Sequence, residues 1–157
     1  MPHFFLRTIG KAQETWQKDA IAQYVERIKP FGKIEVIELS EGHGGSAKPD
    51  EEKTRAIEAE TLLKGISADS YVIALDEVGK NYSSVEFSKL LEREMDNGRS
   101  ITFLIGGSWG LHASVRERAN SVVSFGKQTL PHLLARIILL EQLYRVQTII
   151  QGKTYHK

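Results

Sequence analysis

The stretch "GKTYHK" (152–157) sets a phenol, an imidazole and an ammonium side by side at Tyr155, His156 and Lys157. An imidazole can take up a proton, a phenol can donate a hydrogen bond to a carbonyl, and an ammonium can hold a phosphate. Chain ends usually fray, so the trio is either a solvated stub or a group that something orders and uses. Residues 127–157 carry Lys127, Arg136, Arg145, Lys153 and Lys157 against Glu141 alone, whereas residues 1–126 hold 16 Lys+Arg against 19 Asp+Glu. A polyanion would meet the basic end first. A solvated helix face accounts for the same charges equally well.

Three strand ends carry the other candidates, because ligands of open parallel α/β sheets bind beyond the carboxyl ends of the strands. "YVIALD" ends at Leu75 and Asp76. "ITFLIGG" ends at Gly106 and Gly107, with Gly110 following, and glycine there lets a ligand approach the backbone. "VVSFGKQTLPH" leads into a helix, with Thr129 placed as an N-cap and Pro131 in the first turn. Glycines that merely terminate strands would look the same. The dinucleotide and P-loop spacings are absent, and Ser108 in "GGSWG" is not a nucleophile elbow. His3, His43, His112, His132 and His156 are scattered without carboxylates at ligand spacing, so no metal is expected.

The elements that must position these groups alternate. "HFFLRTI" and "KIEVIEL" read as strands, "SYVIALD" and "SITFLIGG" as strands buried on both faces, and "SVVSF" as a short one. Helices are expected from Ile21 to Pro30, over "DEEKTRAIEAETLLKG", over "SVEFSKLLEREMDNG" with Ser83 and Glu86 as a capping box, and over "SVRERA". "SEGHGGSAKPD" reads as a mobile polar loop. The pattern predicts an α/β layer around a mostly parallel sheet. At 157 residues, 41% apolar and 26% charged, one domain spanning 1–157 suffices. The lack of cysteine excludes disulfides and thiolate chemistry and fits a reducing compartment. "MPHFFLRTIGK" lacks the features of a signal peptide and no run of eighteen apolar residues occurs, so a soluble cytoplasmic protein with no membrane partner is expected.

The final helix, roughly Pro131 to Gln151, is apolar around more than half of its circumference, too much for one amphipathic stripe. It must be buried on most sides, by its own domain or by a partner as well. Glu141 and Arg145 stand four apart in the favourable order, and Arg136 lies one residue off a helical turn from Glu141.

Leu75, "FLIGGSWGL", "SFGKQTLPHLLARIILLEQLYR" and the terminal "YHK", taken in order, resemble the RlmH family, the ribosomal RNA pseudouridine N3-methyltransferases of the SPOUT superfamily. "TIGKAQETWQKDAIAQYVERIKPFGKIEVIEL" resembles that family's N-terminal segment, so the similarity spans the chain. The resemblance implies a Rossmann-like, mostly parallel α/β sheet whose C-terminal segment forms a deep trefoil knot, a rare exception to unknotted chains. It implies a homodimer with S-adenosylmethionine (SAM) in the knot and no metal. The cofactor positions it implies are Leu75, Gly106, Phe125, Gly126, Lys127, Gln128, Thr129 and Leu130, with Gly126 where serine is common and Gln128 in place of Met or Leu. The substrate it implies is N3 of a pseudouridine in helix 69 of 23S rRNA, in the assembled 70S ribosome. By resemblance the tail lies over the cofactor's methyl group, with His156 as first candidate for the base beside Tyr155, and Arg145 and Lys157 toward RNA. An unassisted, electrostatically driven transfer is the alternative to a base. A ribosome-binding protein that keeps the knot without catalysis, or an enzyme for another RNA or a small molecule, would share these motifs.

Overall fold

The computed structural model describes Met1–Lys157. In chain order it comprises β1 (His3–Ile9), α1 (Thr15–Ile28), β2 (Lys33–Leu39), α2 (Glu51–Leu63), β3 (Tyr71–Asn81), α3 (Ser84–Asp96), β4 (Ile101–Ile105), α4 (Ala113–Arg118), β5 (Ser121–Ser124) and α5 (His132–Ile150). The five strands are parallel in the order β2-β1-β4-β3-β5. The expected α/β layer and parallel sheet are both present.

Side-chain alternation divides the core in two. Ile73 and Leu75 of β3 face a cluster that includes Phe87 and Leu91 of α3 and Leu139, Leu140, Leu143 and Val146 of α5. Val72 and Ala74 face Ala59 and Leu62 of α2 and Val115 of α4. Helices therefore cover both faces, which is why β4 and the first half of β3 read as continuous apolar runs. Edge strand β2 has no fully buried residue.

The helix starts follow local chemistry. Ser83 Oγ accepts from the Glu86 amide (3.1 Å) while Glu86 Oε2 accepts from the Ser83 amide (2.8 Å), the expected capping box. Asp50 caps α2 by accepting from the Lys53 amide at 2.7 Å, with Glu51 and Glu52 in the first turn.

Four expectations change. α1 begins at Thr15, six residues before Ile21, because the Glu14 and Gln17 capping box starts it there, and it ends at Ile28. β3 does not end at Asp76 but runs on to Asn81, its pairing with β5 slipping between Leu75 and Lys80. Thr129 is not the N-cap of α5. Pro131 holds that position in extended geometry, and the Thr129 hydroxyl donates to Glu77 Oε2 at 2.8 Å. Arg136 does not meet Glu141. It is fully buried, donating to Glu38 Oε2 (2.7 Å) and the Gly10 carbonyl (3.1 Å). That contact ties the start of α5 to the carboxyl end of β1, although α5 leaves the sheet from β5 at the opposite edge.

α5 packs against α1 on one side and α3 on the other. Leu134 remains exposed, and Ile137, Ile138, Ile149 and Ile150 are only partly covered. One chain thus leaves part of this apolar helix in water.

Candidate active site

The middle of β3, where its pairing with β5 slips, and the carboxyl ends of β4 and β5 open onto a cleft of about 270 Å³. Leu75, Gly106, Phe125, Gly126, Gln128, Thr129 and Leu130 all line it, whereas Lys127 is exposed and outside the lining. A stretch inside β3 and two loops far apart in sequence meet because the pairing register sets the slip after Leu75 beside the carboxyl ends of β4 and β5.

The inner wall is apolar and rigid, since Leu75, Ile105, Leu111 and Val123 are each buried. Gly106 shapes the floor: a Cβ there would stand 2.7 Å from the Gly110 carbonyl oxygen. Gly126 has φ +127, which L side chains rarely adopt, so a serine here would be strained. Ser124 does the work of a polar side chain instead. Its hydroxyl accepts from the Gly126 amide (3.0 Å) and donates to the Gly126 carbonyl (2.8 Å).

Sequence reasoning gave no role to Glu77, Ser108, Trp109 or His132, which also line the cleft. The signal for His132 was present in "TLPH", directly after the cofactor run. Burial, with the charge of Arg136 behind it, lowers the His132 pKa against the opposing pull of Glu41. The imidazole, whose Nε2 edge lies beside Gly10, is therefore held toward its neutral form.

Beneath the glycine loop lies Glu58, only 3% exposed, with Oε2 accepting from the Gly42 amide (2.9 Å) and Oε1 without a partner. Burial raises its pKa, opposed by the Gly42 hydrogen bond. The folded protein thus binds this proton more tightly than the unfolded chain, whose carboxyl titrates near ~4.3. The associated stability is complete below that value and is lost as pH rises through the folded pKa. Glu58→Gln should therefore raise Tm at pH 7 by about 2–4 °C, the response of a chain this long to ~1 kcal/mol. The gap should close at pH 4. Calorimetry at both values checks this, and a lower Tm for the variant at pH 7 would show that the ionised carboxylate is used.

The tail does not join the cleft of its own chain. Tyr155 packs edge-on against Tyr144 (4.7 Å between ring centres) and donates to Glu141 Oε1 at 3.1 Å. Burial first, and then the charge of Glu141, raise the Tyr155 pKa and keep the phenol protonated. Arg145 donates to Glu141 Oε1 (2.6 Å), lies over the Tyr155 ring (4.8 Å), and through Nη1 meets His156 Nδ1 at 3.2 Å. Its pKa is raised, chiefly by the Glu141 hydrogen bond. His132 at the cleft and Arg145 lie ~20 Å apart along a helix rising ~1.5 Å per residue. The expected ion pair of Glu141 with Arg145 is present, and around it the tail is ordered rather than frayed.

The family described as "Predicted SPOUT methyltransferase" matches residues 3–156. A Streptococcus pneumoniae (strain CGSP14) protein named ribosomal RNA large subunit methyltransferase H is 47% identical over 153 residues, covering 96% of each chain. The protein of that name from S. pneumoniae serotype 4 is similar to the same degree. Among solved structures, a probable methylase family protein from Haemophilus influenzae Rd KW20 superposes with TM-score 0.54 at 14% identity, over 98% of this chain and 70% of that one. A probable methyltransferase from Bordetella pertussis Tohama I superposes equally well at 15% identity, over 92% and 95%. These two likenesses concern the fold alone.

Proposed function

The chain belongs to the SPOUT methyltransferase family, and from that premise we propose that it methylates N3 of a pseudouridine in helix 69 of 23S rRNA within the assembled 70S ribosome, using SAM. It is a ribosomal RNA methyltransferase, and a single domain, residues 1–157, carries the whole activity in the cytoplasm. The observation that carries the reading is the meeting of three chain segments, at Leu75, Gly106 and the 125–130 run, in one cleft.

The cleft fits the donor. The apolar slot between Leu75, Ile105, Leu111 and Val123 suits a purine, the missing Cβ of Gly106 lets the Gly110 backbone close up beneath it, and the polar rim at Gln128 and Thr129 suits ribose hydroxyls. When bound, SAM supplies an electrophilic methyl group. A trefoil knot belongs to this reading, and the path of the chain supports it: residues 125–131 leave β5 at one edge of the sheet, yet Arg136 is anchored at the end of β1 beyond β3 and β4.

N3 of pseudouridine keeps its proton at neutral pH, so transfer needs the proton removed or the growing negative charge stabilised. The tail supplies the second: it stabilises the anion left when N3 gives up its proton to solvent water, and that anion takes the methyl group as the donor's sulfur leaves. A guanidinium only donates, so Nδ1 of His156 accepts from Arg145 and a neutral imidazole then carries its proton on Nε2. In this arrangement His156 offers a donor to a pyrimidine carbonyl and not a lone pair to N3. Its role shifts from base to anion stabiliser, with Tyr155 and Glu141 fixing the geometry. Arg145, its charge shared with Glu141, shapes the tail more than it holds phosphate, which leaves phosphate to the exposed Lys157.

Because the tail sits far from its own cleft, the tail serving each cleft is that of a second copy, in a homodimer. The partly covered face of α5 supports such a partner. Purified protein with SAM and 70S ribosomes from cells lacking this gene should add one methyl to a helix 69 pseudouridine, read by mass spectrometry of nuclease fragments. A methyl mapped to another nucleotide, or none, would overturn the assignment.

A further inference from the structure

We propose that Trp109 is the platform on which the target base stacks at the mouth of the cleft. The proposal rests on the methyl-transfer reading above and adds the means by which a base is held there. Trp109 is 43% exposed yet lines the cleft, whereas Trp16, the other exposed indole, does not. An indole left in water forgoes the burial that usually holds tryptophan, so its position at a ligand cleft asks for a partner.

The loop is built to hold it still. The Gly110 amide donates to the Gly107 carbonyl (3.1 Å), closing a turn with Trp109 near its tip. Arg55 Nη1 donates to the Trp109 carbonyl at 3.3 Å, and Arg55 is itself held by Glu51 (2.6 Å) and Glu52 (2.7 Å). A fixed backbone under an exposed ring is what stacking requires, because little ordering remains to be done on binding.

Charge selects the kind of partner. Arg55 is doubly paired, and His112 faces Glu52 at 3.0 Å. Arg55 and His112 beside the loop are thus engaged by carboxylates, and what the indole itself offers is a flat π-face to an uncharged ring. Two such rings come to this cleft, the donor's purine and the target base. The purine has the inner slot, whose walls are buried. The indole stands at the lip, where a base splayed out of an RNA loop arrives and where aromatic side chains stack it.

Stacking contributes about 1–3 kcal/mol per base by alanine substitution. Trp109→Ala should therefore lower kcat/KM for 70S ribosomes by roughly 10–100-fold at saturating SAM, with SAM affinity by calorimetry and dimer mass by sedimentation unchanged. Trp109→Phe should restore most of the loss and Trp109→Leu little. Wild-type kcat/KM in Trp109→Ala, or equal rescue by Phe and Leu, overturns the proposal. So does weakened SAM binding with normal kcat/KM at saturation, which would make the indole a lid on the donor, or dissociation of the dimer, which would make it an interface residue. All of these are read against active wild-type protein, so they leave the methyltransferase assignment standing. An inactive wild type would instead defeat that assignment.

Discussion

Gly106→Val protein is expected to lose SAM binding by at least ~10²-fold, close to 2.7 kcal/mol, while keeping its helical and strand content. The cause is geometric. The clash is with backbone, the Gly110 carbonyl oxygen at 2.7 Å and its carbon at 2.8 Å, and neither can swing aside as a side chain would. The turn from Gly107 to Gly110 must therefore open, moving the floor of the cleft together with Leu111 on its inner wall. Gly106→Ala already carries the clashing atom and should lose most of the affinity. Valine adds bulk without changing the mechanism. Calorimetric titration, with circular dichroism to verify folding, gives the answer. A folded variant with wild-type affinity would move the donor site out of this cleft.

How far such a site could be read in advance depended on how local its determinants are. β1 and β2 were legible to the residue because Gly10 and the turn before Lys33 bound short apolar runs, and α3 because its cap lies within four residues. The two loops after β4 and β5 were legible as strand ends, since parallel topology sends such ends to one side, whereas Leu75, read as a third end, lies inside β3. What escaped was nonlocal. The extension of β3 through Glu77 to Asn81 has no apolar run and exists because β5 pairs with it after a slip. Thr129 looked like a cap beside Pro131, but its hydroxyl is taken by Glu77 of β3. Arg136 and Glu38 come from opposite ends of the chain, and no helical spacing could have joined them. The tail shows both cases at once: the Glu141 and Arg145 pair was visible as i, i+4, whereas the docking of Tyr155 and His156 on that pair was not.

That docking sets the second large effect. Deleting Tyr155 to Lys157 removes no member of either core cluster, so folding and SAM affinity should hold, yet methylation of 70S ribosomes should fall by about 10²–10³-fold, the cost of losing a donor aimed at developing charge. Single-turnover assays at saturating SAM separate this from binding. His156→Ala should reproduce much of the loss and His156→Gln less of it, because an amide still donates a hydrogen bond but cannot act as a base near neutral pH. If His156 were the base, glutamine would be as poor as alanine. Lys157→Ala should act mainly through weaker, more salt-sensitive ribosome binding. The same truncated chain also tests where the tail works. Mixed with Gly106→Val chains, which keep the tail but lack a donor site, it forms dimers in which one intact cleft meets one intact tail only across the interface. Random exchange should then restore roughly a quarter of the wild-type rate, from two proteins that are each nearly inactive. Failure to restore activity in verified mixed dimers would place the tail over its own chain's cleft, and wild-type activity in the truncated protein alone would remove the tail from the reaction.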